Sequence, residues 1–522
     1  KNQKKLIYWK KPPKETYSYS AKKHIWYQDG LTNASYNCLD VNIKRGYGKR
    51  IAIFFFDKNK IFTSVSYEEL LYLVSNFCEY LIKETKKLTK PKIIVYGSAS
   101  LETSVAMLAC ARLGFHFSVI FQDLSFEAVK VRARILKANL LISRCEDKNF
   151  YNKIFKEKIF SKKNVFLLNE KRIRISGLNS INIHKLKKKF FIEAKFLKGS
   201  TDFFTLFTSG STGEPKGITH SLAGYLIYNK LTCKRKFGIT KESTIFTASD
   251  AGWINGHSYA LFGPLSLGAS TVILEIPYLI LDDKFLRQIL KNCKVTILYL
   301  PVTLIRLMKS ISLNKVKSKY LKTLGSMGEP LANAVGIWYS KHFSLQKKAI
   351  INTYFQTETG GIIASASFKQ SNNDVKHGSS GNVISKYLGL FLDSKSNPPQ
   401  FKIKNPWPGC MKSVINSNKI YNNYFDNKNN FKLYDTGYVD KKSNINVTGR
   451  VDDVINIRGH RIGSSEIEST ILKNQNIKET CAISFDNEME GSSFVIFYVS
   501  KNKKKIYEKE KENKIRITFG NF

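Results

Sequence analysis

From about Ser64 the chain alternates two hydrophobic rhythms, and the alternation predicts its class. "SYEELLYLVSNFCEYLIKE" repeats apolar residues at helical spacing, with Ser66 ahead of Glu68 and Glu69 as its N-cap. "KIIVYG" is a short β-branched run, and "ETSVAMLACARLG" reads as a helix closed by Gly114. "FSVIF", the helix "SFEAVKVRARILKA" and "LLIS" follow. The rhythm resumes with helix "SLAGYLIYNKL", strands "TIFTA" and "ASTVILE", and helix "KFLRQILKN". Strand "KVTILYL", helix "PVTLIRLMKS" with Pro301 at its start, and "LKTLGSM" complete the series. Strands alternating with helices imply parallel sheets in α/β layers. No internal repeat is evident.

Past about Ser371 the chain becomes rich in Gly, Asn, Ser and Pro with short strands, which predicts a small β-rich subdomain. At "GRVDDVINIRGHRIGSSEIESTILKN" a new unit opens as strand, turn and helix. Ser464 or Ser465 caps that helix, with Glu466 and Glu468 in its first turns. The expected division is a lead-in segment (1–60), a large layered α/β domain (61–451, the β-rich part over about 371–451) and a small α+β domain (452–522).

Composition narrows the class. At 522 residues the chain exceeds one compact core, and 43% hydrophobic content suffices for globular packing. No run of eighteen apolar residues argues for a membrane span, and "KNQKKLIYWKK" has no apolar core of a secretory signal. Eight scattered cysteines without a CxxC pair read as reduced thiols of a cytoplasmic protein. The formal charge of +43 would attract polyanions, yet the lysines are spread and no nucleic-acid-binding motif appears. A dedicated nucleic-acid partner is therefore not expected; a salt-dependent DNA-binding role remains the rival it would have to displace. Partners are small molecules, and an oligomer is compatible with the sequence.

One stretch contributes nothing to a core. "FFTLFTSGSTGEPKGITH" (203–220) breaks from an aromatic strand into Gly, Ser and Thr with a single lysine. Such a loop lets several backbone N–H groups converge on one anion, with hydroxyls and Lys216 as further partners. Phosphate is the fitting guest. The spacing is not that of the Walker loop, and a merely solvated linker is the bland alternative.

Four further stretches remove that alternative. "TSGSTGEPKG" closely resembles the phosphate loop of the adenylate-forming superfamily, whose members join a carboxylic acid to AMP and then to a thiol. "DAGWINGHSY" (250–259), "GSMGEP" (325–330), "NTYFQTETGG" (352–361) and "YDTGYVDKKSNINVTGRVDDVINIRGHRIGSSEIES" (434–469) fall in that family's order. "LTNASYNCLD" near the N-terminus looks like the lead-in of acetate–CoA ligases. Within the superfamily these motifs resemble the AMP-forming acetate and short-chain acyl–CoA ligases.

The resemblance implies roles. Thr208, Ser209, Gly210, Ser211, Thr212 and Gly213 would wrap the ATP phosphates, with Lys216 at the loop's end. Gly328, Glu329 and Pro330 would line the adenine. Asn352, Thr353, Tyr354, Phe355, Gln356 and Thr357 would frame the nucleotide, with Thr357 near the α-phosphate. Glu358 would hold Mg2+, a hard cation that prefers carboxylate and phosphate oxygens. Asp435 and Arg450 would contact the ribose, and Arg461 would neutralise phosphate charge. Lys216, Thr357, Glu358 and Arg461 form the expected catalytic set. Asp452 would be the hinge of a mobile C-terminal domain. Backbone carbonyls at Leu472, Asn474 and Ile477 would bind a further metal. Trp253, Ile254, Asn255, Met327 and Phe355 would wall the acyl pocket, where the family more often has Val, Thr, Val and Trp for the last four. Asn255 and Arg458 would approach coenzyme A.

Phe for Trp adds volume to that pocket while Ile and Met for Val remove it, so acetate leads and propionate follows. The substrates are then ATP, acetate and coenzyme A, with Mg2+ as activating metal and no bound prosthetic group. Two departures qualify the match. The family's adenylation lysine, in a Gly-Lys motif, has no counterpart in "NKIRITFGNF", so no residue is assigned to it and the chain reads as C-terminally incomplete. A catalytically dead nucleotide-binding protein is the reading that this departure motivates. The usual Arg-x-x-Arg for coenzyme A phosphates is replaced by "RCEDKNFYNK", with Arg144, Lys148 and Lys153 nearby at other spacing.

Overall fold

The structure, a computed structural model, describes residues 2–500 apart from 22, 87, 89, 169–177, 187, 210–213, 312–313, 452–453, 458–459, 464–466, 469, 472–476 and 488–490. Two large sheets dominate it. The first has eight strands in the order Asn179–Ile181, Val165–Leu168, Leu140–Ser143, Lys92–Tyr96, His116–Ile120, Asp202–Thr208, Lys216–Ser221, Ser413–Val414. The second has seven, in the order Ile351–Asn352, Thr323–Met327, Ile297–Pro301, Thr244–Thr247, Ser270–Leu274, Ile51–Phe56, Phe62–Ser66. Their central strands run parallel, and strands such as Leu140–Ser143 and Ser270–Leu274 are buried at every position. Helices cover both faces of such sheets, which is why these strands read as unbroken apolar runs rather than alternating ones.

The sheets share one topology. In each, the first strand of a four-strand series lies between the second and third, and the fourth lies outside the third. In each, a parallel neighbour is added beside the second strand, and that neighbour turns back as an antiparallel hairpin. No sequence repeat announces this, because only the strand order is duplicated.

The capped helices form where the sequence places them. Ser66 and Glu69 cap Tyr67–Thr85 reciprocally: the Glu69 N–H donates to Ser66 Oγ at 3.2 Å and the Ser66 N–H to Glu69 Oε2 at 2.7 Å. Leu101–Leu113 ends at Gly114 in the left-handed region. Two elements depart from the sequence reading. Ile51–Phe56 is a strand of the seven-stranded sheet, paired with Ser270–Leu274, so the hairpin to Phe62–Ser66 runs across position 60. Residues 148–156, where the sequence shows Lys148 and Lys153, form a helix capped by Asp147 that buries Phe150, Tyr151 and Ile154.

The sheets meet through two different surfaces. Phe117, Phe203, Phe204, Tyr225, His257 and Phe262 make an aromatic cluster, with Phe117 and His257 stacked at 6.0 Å. Beside it lies a charged contact at the carboxyl ends of the strands. Arg144 reaches Glu275 at 3.0 Å and Glu102 at 3.6 Å, and donates to Ser98 Oγ at 2.9 Å. A third core is gathered by the β-rich region around Trp407, Tyr421, Tyr424, Phe431 and Tyr354. Its strands are Leu390–Asp393, Gln400–Ile403 and Phe431–Lys432, followed by the hairpin Asp435–Val439/Ile445–Arg450. Beyond it, Val454–Ile457 pairs with His460–Gly463 and Ile477–Asn487 with Gly491–Ser500. The expected helix there is seen at residues 467–468 and 470–471, while its expected cap, Ser464 or Ser465, and Glu466 of its first turn lie outside the described residues. Among the described residues no helix is long and apolar enough to cross a membrane.

Candidate active site

The carboxyl ends of neighbouring strands in the seven-stranded sheet deliver the expected pocket residues side by side. Asn352 ends Ile351–Asn352, Met327 ends Thr323–Met327, and Tyr299 is the middle residue of Ile297–Pro301. The next strand, Thr244–Thr247, runs on into Asp250 and Trp253–Asn255. A crevice at the carboxyl ends of parallel strands is where open α/β sheets hold ligands.

Backbone and side chains lock this row. Ser326 Oγ donates to Asn352 Oδ1 at 3.0 Å, and Asn352 Nδ2 donates to the Gly378 carbonyl at 3.2 Å. The Thr353 N–H donates to the Ser326 carbonyl at 3.0 Å, and its hydroxyl shares a 2.6 Å hydrogen bond with the Tyr299 hydroxyl. Tyr299, fully buried, also donates to Asn255 Oδ1 at 3.1 Å. Met327 and Phe355 pack in one cluster with Phe237, Tyr259 and Tyr299, and Phe355 meets Tyr259 edge-on at 5.5 Å. Trp253 stacks on Phe121 at 5.5 Å, and Ile254 is buried. Met327, Phe355 and, through Tyr299, Asn255 therefore lie together, while Ile254 packs in a core that Phe355 also borders and Trp253 lies on Phe121 beside a third. The approach to these residues is anchored by Asp250, which accepts N–H groups from Gly252 (2.7 Å) and Ala99 (3.2 Å). Burial outweighs those two donors and pushes the Asp250 carboxyl up to about 7.

Gly328 follows Met327 with φ +91, and a side chain there would meet nothing within 4 Å. Only its backbone geometry demands glycine. It leaves a bare, exposed ledge beside Glu329, whose carboxylate is held by Arg306 at 2.6 Å. Arg306, on the helix Val302–Ser310, was not singled out in the sequence.

The opposite wall comes from the eight-stranded sheet and the β-rich region. Thr208 ends one strand of the hairpin and Lys216 opens the other, paired in register. Ser209 follows, half-buried; Gly210, Ser211, Thr212 and Gly213 lie outside the described residues. Thr208 Oγ1 is buried and has no hydrogen-bond partner among the described residues. A buried hydroxyl aligned with a lysine at a hairpin tip suits an anion. Lys216 Nζ donates to Tyr424 Oη at 2.8 Å, and Tyr424 donates to Glu358 Oε1 at 2.8 Å. Lysine and glutamate, far apart in sequence, therefore meet on one phenol.

The segment carrying Thr357 and Glu358 is clasped by its neighbours. His220 Nε2 donates to the Thr357 carbonyl at 2.8 Å, the Met411 N–H to the Glu358 carbonyl at 2.8 Å, and Trp407 Nε1 to the Thr359 carbonyl at 3.1 Å. At Gly360 (φ +69) an added Cβ would sit 2.1 Å from the Gly409 carbonyl, so no other residue fits. Burial holds the His220 imidazole down at about 4 and that of His257 at about 3.

Asp435 is more occupied than its expected role suggests. Its Oδ2 accepts Tyr354 Oη at 2.7 Å and also Gln356 Nε2; its Oδ1 accepts Arg450 at 3.1 Å. A carboxylate offers about four acceptor positions, so room is left for about one further donor. Asp435 and Arg450 contact each other directly, and three residues expected around the nucleotide converge on this acid. Among the candidates for coenzyme A phosphates, Arg144 is committed to Glu275 and Glu102, and Lys153 lies 5.8 Å over the Phe126 ring. Asp452, Arg458, Leu472 and Asn474 lie outside the described residues; Arg461 is on the strand His460–Gly463, and Ile477 opens the next with its side chain buried.

The AMP-binding enzyme family matches residues 41–398. The chain is 30% identical to an acetyl-coenzyme A synthetase of Herminiimonas arsenicoxydans, across 95% of this chain and 80% of that protein. Acetyl-coenzyme A synthetases of Cupriavidus metallidurans and Marinobacter nauticus are each 29% identical, across 95% and 94% of this chain and 80% of their own length. With the crevice, the lysine-bearing hairpin and this match over more than half its length, the chain belongs to the AMP-binding enzyme family.

Proposed function

We propose that this enzyme activates acetate with ATP and passes the acetyl group to coenzyme A. The observation that carries the reading is the meeting of Lys216 and Glu358 on Tyr424, which brings the anion-binding hairpin up against the acid of "QTETGG". The similarity to acetyl-coenzyme A synthetases supplies the substrates.

In this reading the triphosphate lies along residues 208–213 with Lys216 as counter-charge, and the adenine rests on the ledge Gly328–Glu329–Pro330. Asn352 to Thr357 frame the nucleotide, and Asp435 with Arg450 takes the ribose. A buried carboxylate beside the lysine-bearing hairpin suits a hard divalent cation. Glu358 would hold Mg2+, which when bound supplies charge neutralisation for the triphosphate. Acetate enters the wall of Trp253, Ile254, Asn255, Met327 and Phe355. Its carboxylate oxygen attacks the α-phosphorus, the bond to the β-phosphate oxygen breaks, and pyrophosphate leaves. The chain's residues position and neutralise; none forms a covalent intermediate. The coenzyme A thiol then attacks the acyl carbon and AMP departs. We assign Asn255 and Arg458 to coenzyme A, Arg461 to phosphate charge, and Asp452 to the hinge between 61–451 and 452–522. Leu472, Asn474 and Ile477 are assigned to a second cation. The eight free thiols, seven of them buried, fit a reducing cytoplasm, and the dispersed positive charge calls for no nucleic-acid partner.

The test is acetate-dependent exchange of labelled pyrophosphate into ATP by the protein expressed from its full reading frame, repeated with propionate and butyrate. Acetate is expected to lead. Propionate ahead of acetate overturns the acyl assignment, and no exchange with any of the three overturns the activity.

A further inference from the structure

Tyr424 belongs to none of the five motifs, yet its hydroxyl is where the lysine of the hairpin and the acid of "QTETGG" meet. It accepts from Lys216 Nζ and donates to Glu358 Oε1, both at 2.8 Å, while the ammonium lies 5.3 Å from the ring centre. The direction of this chain is set by chemistry. An ammonium has only donors and an ionised carboxylate only acceptors, so the phenol between them must accept from one and donate to the other. The ring that carries the hydroxyl is fixed. It stacks on Phe431 at 5.6 Å and 19°, meets Tyr434 edge-on at 5.6 Å, and is 5% exposed. Its carbonyl accepts the Lys432 N–H at 2.7 Å.

We infer that Tyr424 is a positioning residue for the adenylation step, its hydroxyl setting where the Lys216 ammonium and the Glu358 carboxylate stand before the triphosphate arrives. The inference rests on the acetate-activating function proposed above. Opposite charges in a buried crevice attract strongly, and a collapsed ion pair would withdraw both groups from the nucleotide. The phenol gives each charge a partner at a fixed point. On ATP binding, Lys216 exchanges the phenol for a phosphate oxygen, and the Tyr424 O–H continues to orient Glu358. Transfer of an already activated acetyl group to a thiol needs neither charge, so the hydroxyl matters to one half of the reaction only.

The experiment compares wild type with Tyr424→Phe, Lys216→Met and the double variant in two assays. One is acetate-dependent ATP–pyrophosphate exchange; the other is acetyl-CoA formation from synthetic acetyl-adenylate and coenzyme A. ATP affinity without magnesium, by calorimetry, and thermal melting accompany both. Losing a hydrogen bond to a charged group predicts that Tyr424→Phe lowers exchange roughly 10–100-fold. ATP affinity falls, thioester formation stays within about two-fold and the melting temperature hardly moves. The double variant is expected to be little worse than Lys216→Met alone, because both act through one contact. Unchanged exchange in Tyr424→Phe overturns the inference. So does a parallel fall of both half-reactions with the melting temperature, which marks a structural role. Absence of exchange in wild type overturns instead the function on which the inference rests.

Discussion

The hairpins Ile51–Phe56/Phe62–Ser66 and Asp202–Thr208/Lys216–Ser221 hold the same station in the two sheets. Each adds a parallel strand beside the second strand of its series and then turns back. Their turns differ. In the first, Asp57 Oδ1 accepts the N–H groups of Asn59 (2.8 Å) and Ile61 (2.7 Å), and the Asp57 N–H donates to the Ile61 carbonyl at 3.1 Å. That turn spends its amides on its own carboxylate. The second has Ser209 where the first has Asp57, then glycines, hydroxyls and Lys216. Topology places a loop; its side chains decide whether the backbone donors are consumed locally or left for a ligand.

The strongest way to break this comparison is to replace residues 209–215 by Asp-Lys-Asn-Lys-Ile, the turn of the other sheet. Exchange of pyrophosphate into ATP should become undetectable, while the melting temperature stays within a few degrees. Retained exchange would mean that the loop's chemistry is irrelevant.

Next in size is the charged seam between the sheets. Arg144 and Glu275 are each 12% exposed and Glu102 only 2%, so Arg144→Met strands two buried carboxylates and is expected to cost about 4 kcal/mol of stability in denaturant titration. Pairing it with Glu275→Gln should recover part of that loss, the rest staying with Glu102. An unchanged midpoint in the single variant would show that the seam does not join the sheets.

The aromatic contact responds to pH instead, through His220, which packs on Phe204 at 5.4 Å and Tyr225 at 5.6 Å. An imidazole in water takes its proton near 6.5, whereas that of His220 waits until about 4. Between those values the unfolded chain binds more protons than the folded one. Stability present above pH 6.5 is therefore lost as pH falls toward 4, by roughly 3 kcal/mol for this group. His220→Gln, which keeps a donor for the Thr357 carbonyl, should flatten the curve. An equally steep curve would assign the effect elsewhere.

The smallest effect is expected at Tyr299. Removing its hydroxyl with Tyr299→Phe frees the Asn255 amide and should cost about 1 kcal/mol, read as a several-fold change in the ratio of kcat/KM for acetate over propionate. A constant ratio would detach Tyr299 from acyl selectivity.

Much of this was legible in the sequence because it is local. Ser66 with Glu69 and Gly114 mark helix ends within a few residues, and Thr208, Lys216, Glu358 and Asp435 stand in compact motifs. What escaped is held over long stretches of chain. Tyr424 reaches Glu358 across 66 residues, Tyr354 reaches Asp435 across 81, and Arg144 reaches Glu275 across 131. Tyr299 hides in an apolar strand, where an aromatic reads as core until its hydroxyl is seen between Asn255 and Thr353. Ile51–Phe56 escaped because its sheet partner is more than 200 residues away. The duplicated strand order escaped because packing constrains hydrophobicity and length, and many sequences satisfy both.

The clasp around Gly360 has a mechanical meaning. With the Gly409 carbonyl where any side chain would go, and successive carbonyls bound by His220, Met411 and Trp407, the backbone under Glu358 has no slack. That jaw of the crevice is an anvil. Whatever travel the reaction cycle requires falls to the groups that come to meet it.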